Sequence, residues 1–268
     1  MRFAIAYSKK DPAGMNIVKQ LKKQFLPQVL FLDTNQEIVY FNLSERKYPI
    51  LKNVDFVVFA SKHQSAKKEN SLSLHAPGNF RNADFGGVQG KLCMTSAIAM
   101  KYLFQQLNKI ASENKEISEK YNVTLEVTHH GPVADIPCCF IEIGSDEEQW
   151  NDENAGEIIA KTILTLQDFE PKIINGWIPT IGIGGPHYAP NFNKIQLNSE
   201  YAIGHIIPEY SLPLTESILK EAEAKTSEQI KEVLIDWKGC GSSEQRQEII
   251  NLLDKIGLKH KRTGNVEK

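Results

Sequence analysis

Four short segments pair a histidine with glycine or proline, and together they hold five of the chain's 7 histidines. They are HAPGN at 75–79, THHGP at 128–132, GGPHYAP at 184–190 and GHIIP at 204–208. Glycine and proline fix irregular backbone at the ends of helices and strands, where catalytic and binding groups tend to lie. Imidazole suits metal ligation and proton transfer near neutral pH. The pattern therefore predicts an imidazole-rich site built from loops.

Two chemistries are open to such a site. Zinc on neutral imidazoles lowers the pKa of the water that it binds to ~7 and polarises a carbonyl group. Without a metal, a histidine would act as general base and N–H groups of a glycine loop would bind an oxyanion. No two cysteines have the spacing of a thiolate zinc site. We therefore predict that His129, His187 and His75 bind zinc, while His130 and His205 transfer protons.

The THHGP segment follows a predicted strand over 124–129. Strand alternation directs His129 and His130 to opposite faces, unless Gly131 ends the strand and lets both rings converge on one site. The structural alternative is a packed His129 beside a solvated His130.

The other histidines differ in their sequence context. His205 lies in a strand-like run, where it either faces a site or is a core histidine bonded to a carbonyl group. His75 lies in a long polar stretch, as a lid or substrate-contacting residue. His63 and His260 have no glycine or proline context, so we expect both at the surface.

Glu142 stands in the apolar run CFIEI, where burial is expected. A buried carboxylate needs a partner, a metal or a raised pKa. The inferred hairpin places it more than ~10 Å from His130, at about 3.3 Å per residue. It therefore fits a second metal position, or a role in the fold.

Residues beside the histidines are predicted to bind substrate. Glycines let backbone approach a ligand closely, and local lysines or arginines supply the positive charge that a chain of net charge −2 lacks overall. The predicted set is Gly78, Asn79, Gly184, Gly185, Tyr188, Lys67, Lys68, Arg81 and Lys238.

Three basic clusters are possible contacts for a polyanion. The loop cluster (Lys62, Lys67, Lys68, Arg81) lies near His75, Lys238 follows a predicted strand, and Lys259, Lys261 and Arg262 lie near the chain end. The bland interpretation of each is a solvated charge run, which we favour for the last. The loop cluster is favoured as the contact, because it adjoins a histidine segment.

Strand and helix patterns alternate along nearly the whole chain and predict one three-layer α/β domain with a mixed central sheet over 1–258. About seven residues separate predicted strands 124–129 and 137–143, too few for a parallel crossover, so they should be antiparallel neighbours. Residues 61–91 are predicted to form a long functional loop, and 259–268 a polar basic tail. Predicted helices cover 13–25, 95–114, 147–168, 214–224 and 243–256.

The remaining composition narrows the class of protein. The first residues lack the pattern of a signal peptide, and no run approaches the ~20 apolar residues of a membrane span. We therefore expect a cytoplasmic protein with reduced cysteines, acting as a monomer, with neither membrane nor DNA as partner.

The four histidine segments, in this order, and the opening Ala6-Tyr7-Ser8 resemble the archaeal-type D-aminoacyl-tRNA deacylase family over essentially the whole chain. That resemblance implies hydrolysis of the ester that joins a D-amino acid to tRNA, with zinc as cofactor and the acceptor end of tRNA as partner. It also implies a phosphorylase/peptidyl-tRNA hydrolase-like fold.

Two other functions remain open at this stage. One is another metal-dependent hydrolase or a nucleoside phosphorylase on a related fold, although of five arginines only Arg81 lies near a histidine segment to hold phosphate. The other is a non-catalytic RNA-binding module, which the near-neutral charge and the histidine loops fit poorly.

Overall fold

The computed structural model describes residues 1–24, 29–65, 68–171 and 176–266, which form two sheets with helices packed on them. This confirms the predicted mixed α/β class with a mixed central sheet. The second sheet was not predicted. The strands are β1 Phe3–Ser8, β2 Leu30–Thr34, β3 Phe56–Gln64, β4 Ser71–His75, β5 Asn122–Leu125, β6 Cys138–Ser145, β7 Ile178–Ile183, β8 Tyr201–Ile207, β9 Glu232–Ile235 and β10 Lys259–Arg262.

Eight α-helices connect these strands within the described ranges. Most begin at a side chain that accepts a hydrogen bond from the first turn, as Ser242 does in the capping box of the last helix. They are α1 Pro12–Lys22, α2 Ala97–Ser112, α3 Lys115–Lys120, α4 Glu147–Trp150, α5 Glu153–Leu164, α6 Pro190–Asn198, α7 Glu216–Ala224 and α8 Ser243–Ile256. In the part of the chain that the structure describes, no helix has the length and apolar character that a bilayer crossing requires.

The first sheet has the strand order β2-β1-β3-β6-β4-β5. Only the β4–β6 pair is antiparallel; every other pair is parallel. Alternate residues of its buried strands face two cores, as in β3, where Phe56 and Val58 join one core while Val57 and Phe59 join the other. Helices α1, α2 and α5 cover the first face, and irregular segments cover the second.

Strand β4 corrects two predictions at once. It lies inside the stretch 61–91 that was predicted as a loop, and it stands between β5 and β6 in the sheet. The two strands predicted as antiparallel neighbours are therefore separated. The prediction was wrong because a strand far away in sequence pairs with both of them, and loop length cannot reveal that.

The second sheet is parallel throughout, in the order β10-β9-β7-β8. Its β10 lies in the segment predicted as a polar tail, so part of that tail belongs to the fold. Helices α7 and α8 pack on one face around Ile183 and Val233, while α2 contacts both β8 and the first sheet.

Candidate functional site

One face of the first sheet carries three polar groups where its apolar pattern stops. Along β3, Val57 and Phe59 are followed on the same face by His63. In β4 and β6, residues of the first core alternate with residues that face the other way. His75 and Glu142 occupy these alternate positions, so they lie on the same face as His63. All three side chains are buried. The strand register thus brings together groups that are far apart in the sequence.

The segment after β5 brings three more groups. Glu126 continues the strand pattern and is buried, and its N–H donates to a carbonyl of β4. His130 has a positive φ of 42°, which breaks the alternation. The rings of His129 and His130 therefore converge, with centroids 4.3 Å apart. The convergence expected from an interrupted strand is confirmed, although β5 ends at Leu125 and not at Gly131.

His187 enters from the segment that follows β7. Gly184, with φ of 91°, lies so close to Cys240 that an added Cβ would be 2.4 Å from its Sγ. The Val127 N–H donates to the His187 carbonyl oxygen, which ties this segment to the one that carries His129. The two rings have centroids 4.7 Å apart.

Glu126 lies at the centre of the cluster. Its Oε1 is 3.2 Å from Nδ1 of His63, and its Oε2 is 3.2 Å from Nε2 of His187 and 3.5 Å from Nε2 of His129. Neither oxygen accepts a hydrogen bond from a described residue, because these contacts do not have the geometry of a hydrogen bond. A buried carboxylate in this state is one that a bound cation would satisfy.

A second carboxylate completes the cluster. Oε2 of Glu142 is 3.6 Å from Nδ1 of His63 and 3.7 Å from Nε2 of His75. Glu142 and His130 line the same cleft. The hairpin from which their separation was inferred does not exist, because β4 lies between β5 and β6. A second metal position at Glu142 stays a prediction.

The surroundings divide the histidines into two electrostatic types. Burial would lower the pKa of His63, but the Glu142 and Glu126 carboxylates raise it to about 9. Burial and the neighbouring His75 ring lower the pKa of His130 to about 4. Burial would raise the pKa of Glu126, but contacts with His187 and His63 lower it to about 2.

Among the described residues, three groups have ligand atoms close enough to hold one ion. These are His63, Glu126 and His187; His75, His129 and His130; and His75, Glu126 and Glu142. The predicted ligands His129, His187 and His75 lie in one cluster but divide between the first two groups. The donor set of imidazole and carboxylate fits zinc, as do the unbonded buried atoms Nε2 of His75 and both Glu126 oxygens.

Two clefts meet at the cluster. The larger, about 870 Å³, is lined by the histidines at 63, 129, 130 and 187, and the smaller, about 380 Å³, is lined by His129 and His130. A further cleft of about 720 Å³ is lined by His63, His187 and Tyr188. Phe85 lines both clefts and is 70% exposed. Tyr210 lines the smaller one and is also exposed.

His205 does not join the cluster. It is fully buried, its Nδ1 is 3.1 Å from Oγ1 of Thr128, and its Nε2 is 3.2 Å from the Lys225 carbonyl oxygen. Both ring nitrogens are hydrogen-bonded to groups in the core, so the proton-transfer role predicted for His205 conflicts with its position. It is the core histidine of the alternative interpretation.

The glycine pair of the third segment serves the fold as well. The N–H of Gly184 donates to the Ile207 carbonyl and that of Gly185 to the Gly239 carbonyl. Their N–H groups therefore do not point at an oxyanion, and the expectation of an oxyanion hole there was wrong. The glycine pair instead lets residues 184–187 pack closely against residues 236–240, and this contact positions His187.

Other predicted substrate contacts line the clefts. Gly78, Asn79 and Arg81 line the smaller cleft, but the Arg81 guanidinium donates to the carbonyl oxygens of Ser211 and Pro213. It is therefore not free to hold a phosphate in the way a phosphorylase would need. Substrate binding by Gly78 and Asn79 stays a prediction.

Tyr188 and the predicted lysine contacts fare differently. The Tyr188 hydroxyl lies 3.0 Å from Nε2 of His63, so the residue belongs to the cluster. Lys68 is paired with Asp146 at 3.4 Å, while Lys67 lies outside the described residues. Lys238 lies in a different cleft, away from the histidines.

Sequence reasoning missed two central groups. His63 was expected at the surface, yet it is buried between two carboxylates. Glu126 was not among the predicted site residues. His63 ends the buried run of β3, and Glu126 stands between the buried apolar residues Leu125 and Val127. A titratable side chain beside buried apolar residues, the signal used for Glu142, was available for both.

Comparison with known proteins assigns a family. The profile of the family described as D-aminoacyl-tRNA deacylase matches residues 50–261. A protein of that name from Pyrococcus furiosus is 33% identical over 273 residues, which cover 95% of this chain and 97% of the relative. One from Methanocaldococcus jannaschii is 34% identical over 255 residues, covering 93% and 95%.

One solved structure is similar over nearly the whole chain. It is a crystal structure of a conserved protein of unknown function, with a TM-score of 0.85 and 26% identity, covering 98% of this chain and 96% of that one. The likeness supports the mixed α/β fold described above.

Proposed function

Since this chain belongs to the D-aminoacyl-tRNA deacylase family and hydrolyses the ester bond of D-aminoacyl-tRNA, we propose that the histidine–glutamate cluster is where that bond is cleaved. The observation that carries the proposal is the buried Glu126 carboxylate, surrounded by His63, His129 and His187 yet accepting no hydrogen bond within the described chain. Products are the free D-amino acid and tRNA.

Zinc is the cofactor that we propose for this cluster. His63, Glu126 and His187 would hold it, because they form a two-histidine, one-carboxylate set and His187 is 36% exposed toward the large cleft. When bound, zinc supplies a Lewis acid that polarises a carbonyl group and lowers the pKa of water to about 7. His75 and His129 belong to the neighbouring ligand group and would support a second position.

His130 is the group that we propose accepts the proton from the attacking water. Its Nδ1 donates to the Gly131 carbonyl oxygen at 2.6 Å, so Nε2 carries the lone pair. The surroundings lower its pKa to about 4, so at pH 7 the ring is neutral and Nε2 is free of a proton, and the same shift makes the ring a weaker base than an ordinary imidazole. It lines both clefts, where the ester would lie.

The exposed aromatic surface beside the cluster suits the 3′ end of tRNA. Unpaired bases stack on aromatic side chains, and Phe85 presents its ring where the two clefts meet. We propose that the terminal nucleoside rests on Phe85, with the aminoacyl ester directed to His129 and His130. In this proposal the enzyme acts as a monomer in the cytoplasm.

The decisive experiment follows release of free amino acid from D-tyrosyl-tRNA and L-tyrosyl-tRNA, with zinc supplied and after chelation. We expect rapid cleavage of the D ester alone, and loss of that activity on chelation. Equal rates on both esters, or no turnover of either with zinc present, would contradict the proposal.

A further inference from the structure

A separate cleft of about 440 Å³ lies at the carboxyl ends of β9 and β10. Residues 236–238 directly follow β9, residues 262–266 end and follow β10, and α6 forms the opposite wall. In parallel sheets, ligands bind outside the carboxyl ends of the strands. The position is therefore one where a binding site is expected, and the histidine cluster does not use it.

The cleft is basic, and its charges are available. Lys194, Lys238 and Arg262 line it, all three are exposed, and none has an ion pair or side-chain hydrogen bond with another described residue. Asp236 is the one acid among the lining residues; it is buried, and its Oδ1 accepts a hydrogen bond from Asn191 at 3.0 Å. Three cations therefore face solvent together in a chain whose net charge is −2.

The loop cluster favoured by the sequence has no such freedom. Lys62 is 3.9 Å from Glu37, Lys68 is 3.4 Å from Asp146, and Arg81 is bonded to backbone carbonyls. Positive charge that is already balanced contributes little to attraction of a polyanion. The described part of the loop cluster is thus the weaker candidate.

An arginine–tryptophan stack shapes the cleft. The guanidinium carbon of Arg262 lies 3.4 Å from the Trp237 ring centroid, and Arg246 lies 5.2 Å from it. Arg246 is fixed by hydrogen bonds to the carbonyls of Trp237 and Ser242. Arg262 is therefore held against the indole with its own donors unbonded within the described residues, a preorganised phosphate ligand.

The basic cleft and the histidine cluster share one connecting segment. Residues 184–191 carry His187 into the cluster and Asn191 into the basic cleft, and the Gly185 N–H bonds to the Gly239 carbonyl between them. Four residues span at most about 15 Å. A polymer held in the cleft can therefore also reach the cluster.

We propose that this cleft binds the phosphate backbone of tRNA and so holds the acceptor end over the histidine cluster. The inference rests on the proposed function for the identity of the polyanion. The cleft brings together Lys238 and Arg262, which are 24 residues apart in the sequence, because β10 pairs with β9.

The test measures binding of uncharged tRNA against salt concentration for the triple variant Lys194→Ala/Lys238→Ala/Arg262→Ala. Each lost phosphate contact lowers the slope of log K against log salt by about 0.7 to 0.9, so we expect a reduction of about 2 to 3 and roughly tenfold weaker binding. Lys52→Ala is the matched control, because Lys52 is exposed and lies in the turn that leads into β3.

Two further readouts keep the outcomes distinct. The kcat/KM for D-tyrosyl-tRNA should fall at least tenfold relative to that for the D-tyrosyl ester of adenosine, which has no phosphate. A slope unchanged from wild type, or a loss equal to that of Lys52→Ala, overturns the proposal. Because uncharged tRNA is the ligand, the binding test stands even if the histidine–glutamate cluster proves not to be the site of ester cleavage.

Discussion

The histidine–glutamate cluster and the basic cleft lie on either side of one segment, yet they are built in opposite ways. In the cluster, charged groups are buried: Glu126 and Glu142 are enclosed by imidazoles a few ångströms away. In the cleft, Lys194, Lys238 and Arg262 are exposed and have no paired acid among the described residues. The cluster holds its charged groups away from water, whereas the basic cleft exposes its charged groups to solvent.

The difference separates chemistry from attraction. Charges interact far more strongly where water is excluded, so the buried cluster can tune proton affinity and hold a cation. Exposed cations are screened by salt but act on a polyanion from a distance. Changes in the cluster should therefore affect turnover and metal content, while changes outside it should affect affinity or stability.

The largest effect is expected for Glu126→Gln. The substitution keeps the shape but removes the charge at the centre of the cluster, so kcat should fall by about 10² to 10⁴-fold. Steady-state kinetics on D-tyrosyl-tRNA measures this. Glu248→Gln is the matched control, since Glu248 is exposed on α8, away from the cluster. Retention of full activity by Glu126→Gln would remove Glu126 from the mechanism.

Next in size is a contrast between two histidines that the sequence treated alike. His63→Ala should lower zinc affinity by about 100-fold or more, because it removes one of the three proposed ligands, whereas loss of a group that only supports a ligand costs about 10- to 100-fold. His260→Ala should leave zinc affinity unchanged, since His260 lies in β10 beside Asp254 and not in the cluster. Metal analysis after dialysis against limiting zinc decides the matter; equal zinc content in the two variants would refute the assignment.

Phe85→Ala should act on affinity alone. Stacking of one base on an aromatic ring contributes about 1–3 kcal/mol, so KM for D-tyrosyl-tRNA should rise about 5- to 150-fold with kcat nearly unchanged. Ile50→Ala removes another exposed apolar side chain and should leave KM unaltered. If kcat falls while KM stays constant, Phe85 acts on the chemical step instead.

The smallest effect on activity is expected at His205, where stability changes instead. Burial lowers its pKa to about 4 in the folded state, against 6.5 when unfolded. Below pH 6.5 the unfolded chain therefore binds the extra proton, and stability falls by up to about 3 kcal/mol as the pH drops toward 4.

Urea denaturation at pH 7.5 and pH 5 measures this dependence for wild type and His205→Gln. The variant should lose about 1–3 kcal/mol at pH 7.5, because Thr128 and the Lys225 carbonyl lose a well-placed partner. It should also show a weaker dependence on pH and retain kcat. A large loss of kcat at full stability would restore the catalytic role.

Residues that could do chemistry were predictable where local context was unusual. His75, His129, His130 and His187 stand beside glycine or proline, and the structure gathers all four. His205 has the same context but lies in the core, since its neighbours in β8 direct it toward Thr128. Glycine beside histidine indicates irregular or crowded backbone, and crowding occurs in a core as well as in a site.

Element positions followed from local periodicity, but their pairing did not. Helices α2 and α8 and strand β6 lie close to where their patterns predicted them. The polar stretch after residue 61 was interpreted as a loop, although β4 there is buried on both faces, with Ser73 and His75 among its residues. The SLSLH sequence of β4 does alternate polar and apolar residues, so the strand signal was present, but it spans 5 residues inside a long polar stretch.

The sequence by itself determined the family, the α/β class and the histidine segments, because these depend on short patterns of residues. The tertiary structure alone decided that β4 separates β5 from β6, that His63 and Glu126 complete the cluster, and that β10 brings Arg262 beside Lys238. Local propensity acts within a few residues, whereas strand order depends on which distant segments bury one another best. Ligands that come from different strands can be identified only once that order is known.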